Sequence, residues 1–198
     1  MDFFKKNSYT IVKLFINQLA ISIFGNVLAI ACGLADNQTL KLVTSIFAIL
    51  FFVFLNYSVL WEIGYKNIPA IDAGRMPRRP LTGLYMALWA SVPNFVFAVI
   101  IMLAQLFCDI EFFSTLGGVT SMIAIWVQGM YTGLLSYIKI GAQPANAYWI
   151  SYFLIIIPGL LAGLFGYWFG ILNLHLTRIN IAETPEEAEK KRNAKLDK

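Results

Sequence analysis

Charge-free apolar runs alternate with short polar or basic stretches along the chain, and this alternation predicts its elements. The cleanest run covers residues 42–61 and contains no charged residue. As a helix, a run of about 20 residues crosses a hydrocarbon core of about 30 Å. In lipid every backbone donor and acceptor needs a partner within the protein, so such a run is helical. Four more runs cover 14–34, 81–107, 116–138 and 147–174. Together they predict an all-α membrane protein: a compact bundle of about five transmembrane or membrane-embedded helices. The fourth run is the weakest, because Gly117, Gly118, Gln128, Gly129 and Gly133 interrupt it, and it suits a re-entrant helix held inside protein. In the fifth, Pro158 is expected to bend the helix near its middle.

The basic residues set the expected orientation. Lys5, Lys6 and Lys13 flank the first run, and Lys66, Arg75, Arg78 and Arg79 lie in the loop 62–80. The connection 108–115 carries only Asp109 and Glu111. Cytoplasmic retention of Lys and Arg therefore places the N-terminus and the loop 62–80 inside and the acidic connection outside, in a multi-pass cell-membrane protein. A conflict follows for the tail. Five crossings, the favoured count, export it, yet Arg178, Lys190, Lys191, Arg192, Lys195 and Lys198 favour the cytoplasm. A fourth run that does not span removes the conflict.

Composition adds little to this picture. Hydrophobic residues make up 59% and charged residues 13%, against about 25% charged in a soluble domain. The net charge of +4 comes from flanks and loops, so no nucleic-acid partner is expected. The length allows one helical membrane domain, 1–176, and a charged tail, 177–198, in which Pro185, Glu186 and Glu187 suit a helix start. A cleaved leader is the rival reading of the N-terminus, since residues 28–32 resemble a lipoprotein cleavage box. The first apolar run exceeds the usual stretch of roughly 7–15 residues and is interrupted by Asn17, Gln18 and Asn26, so it is expected to remain as a span.

Polar residues within the runs are the candidate functional positions. Gln18, Ser22 and Asn26 recur every fourth residue and form one stripe of the first helix, with Gly25 and Gly33 nearby. The stripe is either interhelical glue or a polar wall of a solute pocket. Asn56, Ser58, Asn94, Gln105 and Gln128 are candidates to complete either arrangement. No Asp, Glu, Lys, Arg or His lies in the middle of a run, which argues against a proton relay and leaves a neutral or aromatic solute as the simplest cargo. Gly129/Gly133, Gly159/Gly163 and Gly166/Gly170 form small-residue faces for close helix packing, within the chain or onto a second copy or partner subunit. Tyr148, Trp149, Tyr152, Tyr167 and Trp168 fall near the ends of the fifth run and are expected to anchor it at the membrane interface.

Motifs for catalysis are missing. The sole histidine, His175, sits at a run's edge, and no GxSxG, HExxH, P-loop or CxxC occurs. No metal site, cofactor or enzymatic activity is expected, and Cys32 and Cys108 are expected to be free thiols. The four cations of the loop 62–80 suit anionic lipid head groups or a docking partner, and Gly64 and Gly74 suggest defined turns there. That loop resembles a group of uncharacterised small bacterial integral membrane proteins, through Trp61, Glu62, Gly64, Lys66, Gly74, Arg75 and Gly83, with Pro93 and Asn94 following. The acid that commonly follows the Lys is replaced by Asn67. This resemblance implies a bacterial membrane protein and no activity.

The leading functional expectation is a non-enzymatic accessory, assembly or interaction subunit. The alternative is a small-solute transporter component, since size and helical content resemble the substrate-capture subunits of energy-coupling-factor vitamin transporters. Those subunits dock through an Ala-xxx-Ala face, and the matching spacing here, Ala31/Ala35, lies at a run's edge.

Overall fold

The computed structural model describes residues 2–174; His175 and the charged tail with its expected helix start lie outside the described residues. In chain order the elements are α1 (Asp2–Leu34), α2 (Gln38–Asp72), α3 (Thr82–Ala90), α4 (Val92–Leu106), α5 (Glu111–Val127), a 3-10 turn (Gly129–Tyr131), α6 (Thr132–Tyr137), β1 (Lys139–Ile140), β2 (Gln143–Pro144), a 3-10 turn (Ala145–Ala147), α7 (Trp149–Leu154) and α8 (Ile157–Ile171). The two strands make one short antiparallel hairpin. The stretches Asn7–Leu34, Gln38–Asp72 and Trp149–Ile171 are each long and apolar enough to cross a membrane. Two bent pairs raise the number to as many as five: α3 with α4 at 54°, and α5 with the segment Gly129–Tyr137 at 85°.

Both long helices overrun the expected runs. α1 already includes the basic flank from Asp2. α2 continues for 35 residues through half of the expected loop. The cause is local: Glu62 and Lys66 pair across one turn at 2.5 Å, which favours helix. Gly64 is therefore not a turn residue, as expected from the sequence, but a mid-helix contact; a Cβ there would come 2.6 Å from the Tyr167 carbonyl oxygen. The turn falls at Gly74, whose φ of +69° suits glycine. At the other end of α2, Asn37 caps the helix by accepting from the Leu40 N–H at 2.9 Å.

Packing fixes the direction of each element. Gly159 faces Phe52, Gly166 faces Tyr57 and Leu60, and Gly170 faces Trp61 and Gly64, so α8 runs parallel to α2. Gly83 and Ala87 meet Tyr167 and Gly163 in the opposite order, so α3 is antiparallel to α8. The Phe3–Tyr85 and Phe4–Trp89 ring contacts bring the start of α1 to α3. One end of the bundle, here the basal end, thus gathers the start of α1, the end of α2, the start of α3 and the end of α8. Ile11, Leu14, Leu60, Met86, Tyr167 and Ile171 form its core.

The fourth run takes a different course. α5 starts beside the end of α4, with Phe113 on Phe107 and Gly117 on Ala104. It stops at Val127, which meets Gln18 and Ser22 about half-way along α1. After the bend, α6 lies against Lys41 and Ser45, near the start of α2. Both ends of 111–137 therefore lie at the distal end of the bundle.

Around its apolar cores the bundle also presents an apolar exterior. Large apolar side chains point outward, with Leu50 62% and Met122 71% exposed, while amides and hydroxyls are buried. An apolar surface of this extent fits a lipid environment.

Candidate functional site at the meeting of three helix breaks

Where α5 ends, its last carbonyls have no partner within the helix. The stripe of α1 supplies them. Asn26 Nδ2 donates to the carbonyls of Ile125 and Trp126 at 3.0 and 3.4 Å. Ser22 Oγ donates to that of Val127 at 2.7 Å, and Gln18 Nε2 adds a longer bond of 3.3 Å. Spacing by one helical turn lets three side chains follow the rising backbone. Ser45 of α2 serves the far side of the break: its hydroxyl donates to the Met130 carbonyl and accepts from the Leu134 N–H at 3.1 Å.

Glycines make this approach possible. A Cβ on Gly25 would lie 2.6 Å from Met130 Cα, one on Gly129 would overlap the Asn26 side chain, and one on Gly133 would overlap the Lys41 carbonyl. The other expected packing glycines, Gly159, Gly163, Gly166 and Gly170, face α2 and α3 of the same chain.

Above the stripe lies an amide cluster. Gln18 Nε2 donates to Asn94 Oδ1 at 2.9 Å, and Asn94 Nδ2 donates back to Gln18 Oε1 at 2.8 Å. Gln128 Nε2 also donates to Asn94 Oδ1, at 3.3 Å. Asn94 sits in the first turn of α4, directly after the break at Ser91, where Pro93 has no N–H to offer the Trp89 carbonyl. A third, milder break, at Ile155 and Ile156 before Pro158, separates α7 from α8 within the single stretch Trp149–Ile171.

All three breaks border one chamber. It consists of two adjoining cavities, each with room for about one water. Gln18, Phe52, Ser91 and Gly159 line both. Asn94, Gln128, Tyr131, Ile155 and Ile156 complete the first; Asn56 and Leu60 help to close the second. Of the four buried side-chain oxygens without a hydrogen-bond partner among the described residues, Tyr57 Oη lies off the chamber and three belong to residues that line it: Asn56 Oδ1, Gln128 Oε1 and Tyr131 Oη. Their residues are only 5%, 4% and 3% exposed. Such an orphan costs about 1–3 kcal/mol.

The structure therefore brings Gln18, Ser22, Asn26, Asn94 and Gln128 into one network and sets Asn56 on the adjoining cavity. Gln105 lies apart, donating to the Ala147 carbonyl and accepting from the Trp149 N–H at 2.8 and 3.1 Å. Ser45, Ser91 and Tyr131 were missed. For Ser45 a signal exists: Ser45, Ala48, Phe52, Asn56, Leu60 and Gly64 form the buried face of α2 at helical spacing. Tyr152 and Tyr167 are buried rather than interfacial, with 6% and 1% exposure, because neighbouring helices extend past them.

The four basic residues of the stretch 62–80 sit at the basal end, while Lys41 and Lys139 lie at the distal end. Lys66 pairs with Glu62, Arg78 Nη2 lies 3.5 Å from the Ile171 carbonyl, and Arg75 and Arg79 are exposed. Beside them, Trp61 stacks on Tyr65 and donates to the Leu174 carbonyl at 2.8 Å. Cys32 is free and buried, and Cys108 is free and exposed. No group of three His, Cys, Asp or Glu able to hold a metal occurs among the described residues. No protein-family model, curated protein or solved structure matches the chain.

Proposed function

We propose that this chain is a multi-pass membrane protein with four crossings and one re-entrant segment, and that it passes small neutral solutes through the chamber at the helix breaks. Broken helices and irregular backbone are tolerated at membrane depth where they line a cavity, which is how many solute sites are made. The carrying observation is that three breaks and three orphaned side-chain oxygens converge on one small chamber. Every buried polar side chain among the described residues is neutral, which favours an uncharged cargo. No catalytic role is assigned. The leading expectation from the sequence, an accessory subunit, rested on missing catalytic motifs, missing intramembrane charge and glycine packing faces; of these, the glycine faces pack within the chain, which removes one support.

The proposed crossings are α1, α2, the α3–α4 pair and the α7–α8 pair. With the N-terminus and the loop at 73–80 in the cytoplasm, the end of α8 also lies there, and the basic tail no longer conflicts with the rule for Lys and Arg. Lys66, Arg75, Arg78 and Arg79 then lie at the level of anionic head groups of the inner leaflet.

Two measurements test this reading. Single cysteines at Lys66, Thr115, Lys139 and Asn173, without Cys32 and Cys108, are labelled in intact cells with an impermeant thiol reagent. Thr115 and Lys139 should label from outside, Lys66 and Asn173 only after permeabilisation; Lys139 labelling from inside would mean that 111–137 crosses. For the cargo, purified protein is reconstituted in vesicles loaded with labelled neutral solutes of graded size. At least one should leave faster than from protein-free vesicles. Equal release of every solute would return the accessory reading to the lead.

A further inference from the structure

The chamber also restricts what can occupy it. Building on the chamber reading, we infer that its ligand is a small uncharged hydrogen-bond donor of the size of water or ammonia, held by Asn56, Gln128 and Tyr131. Size comes first. Each cavity holds about one water, and the two share the walls formed by Gln18, Phe52, Ser91 and Gly159. A ligand of that size fits each cavity in turn, and an aromatic solute does not fit without opening a helix break.

Hydrogen-bonding capacity comes next. The Gln128 amide nitrogen is committed to Asn94 Oδ1, which leaves its carbonyl oxygen unpaired. Asn56 Oδ1 is an unpaired acceptor at the second cavity, and the Tyr131 hydroxyl is unpaired at the first. Amide oxygens only accept, so the missing partner must bring N–H or O–H groups. The tyrosine hydroxyl can take either role. An occupant with two or more donors, passed from Gln128 to Asn56, satisfies each orphan in turn.

Charge selects the uncharged form. Among the described residues, no buried acid is present to compensate a dehydrated cation, and no buried base to compensate an anion. Ammonia therefore fits and ammonium does not.

The test uses vesicles containing the full-length protein and stopped-flow detection. Water passage is read from the shrinkage rate after an osmotic step, and ammonia passage from internal alkalinisation reported by a pH-sensitive dye. Urea serves as an oversized donor, and Na⁺ and K⁺ are followed with a potential-sensitive dye. Water or ammonia, or both, should pass faster than through protein-free vesicles, and the cations should not. Each lost hydrogen bond to the ligand should lower the rate up to about tenfold, so Asn56→Leu and Tyr131→Phe should both be slow. Tyr131→Phe keeps the test sound, because its hydroxyl has no protein partner. That variant should fold with an unchanged or higher melting temperature while passage falls. Passage confined to urea or larger solutes, a cation signal, or normal rates in both variants would overturn this inference and leave the chamber reading standing. Passage of no solute of any size would overturn both.

Discussion

Replacing Asn94 by leucine should destabilise three helices at once. Asn94 exchanges two hydrogen bonds with Gln18 and accepts a third from Gln128, so α1, α4 and the end of α5 meet at its side chain. Leucine has nearly the same shape, so cavity formation is a small part of the effect. The bonds alone are not the main part either, since interhelical hydrogen bonds in membranes average only ~0.6 kcal/mol and reach ~2 kcal/mol. The larger cost is what remains: buried amides on Gln18 and Gln128 that have lost partners, at about 1–3 kcal/mol each. The sum is about 2–6 kcal/mol, read as a fall in melting temperature in detergent. Gln18→Leu in the same chain removes one orphan and should recover part of the loss, a non-additivity that a double-mutant cycle measures directly. Additive effects would mean that the amide cluster is not a unit.

Gly83→Ala is expected to be of similar severity by another mechanism. A Cβ at Gly83 would overlap the Gly163 carbonyl oxygen and the Tyr167 Cβ of α8. Neither atom belongs to a flexible side-chain end, so α3 and α8 must separate. Gly163 itself faces Ala87 and Leu60, so the disturbance reaches α2. Overpacking of this kind costs typically about 1–3 kcal/mol and sometimes more, or a melting temperature lower by about 2–12 °C for a chain of this size. Gly118→Ala is the control: nothing lies within 4 Å of its Cβ position. Alanine is the better helix former by about 1 kcal/mol, so that variant should melt at the same or a higher temperature. Equal behaviour of the two variants would show that the α3–α8 contact is looser than described.

The stripe Gln18, Ser22 and Asn26 was legible in the sequence because four-residue spacing fixes a helix face. Asn94, the amide partner of Gln18, was among the candidates; the partners of Ser22 and Asn26 were not legible, because they are backbone carbonyls and carry no sequence signal. Gln128 and Gly129 marked the fourth run as weak, and the bend of 85° falls there. The bend of 54° at Ser91 went unseen although Pro93 marks it, since the run 81–107 reads as continuous by hydropathy. Charge misplaced the end of α2: Glu62 and Lys66 suggest a loop by polarity, yet at this spacing they favour helix. Gly64 and Gly83, noted within the inner-loop resemblance, both meet α8, so their positions are explained by packing.

The dependence of the α5 break on α1 has a consequence for assembly. Segment 111–137 cannot settle in lipid alone, since the carbonyls of Ile125, Trp126 and Val127 would have no donor there. Their donors are on a helix that leaves the ribosome about a hundred residues earlier, as the sequence separations of 99 to 109 record. In the proposed topology the α1–α2 hairpin enters the bilayer before the fourth segment arrives and acts as a template for it. A defect in the stripe would then be felt during insertion, as a chain that is made and membrane-bound but degraded before it is complete.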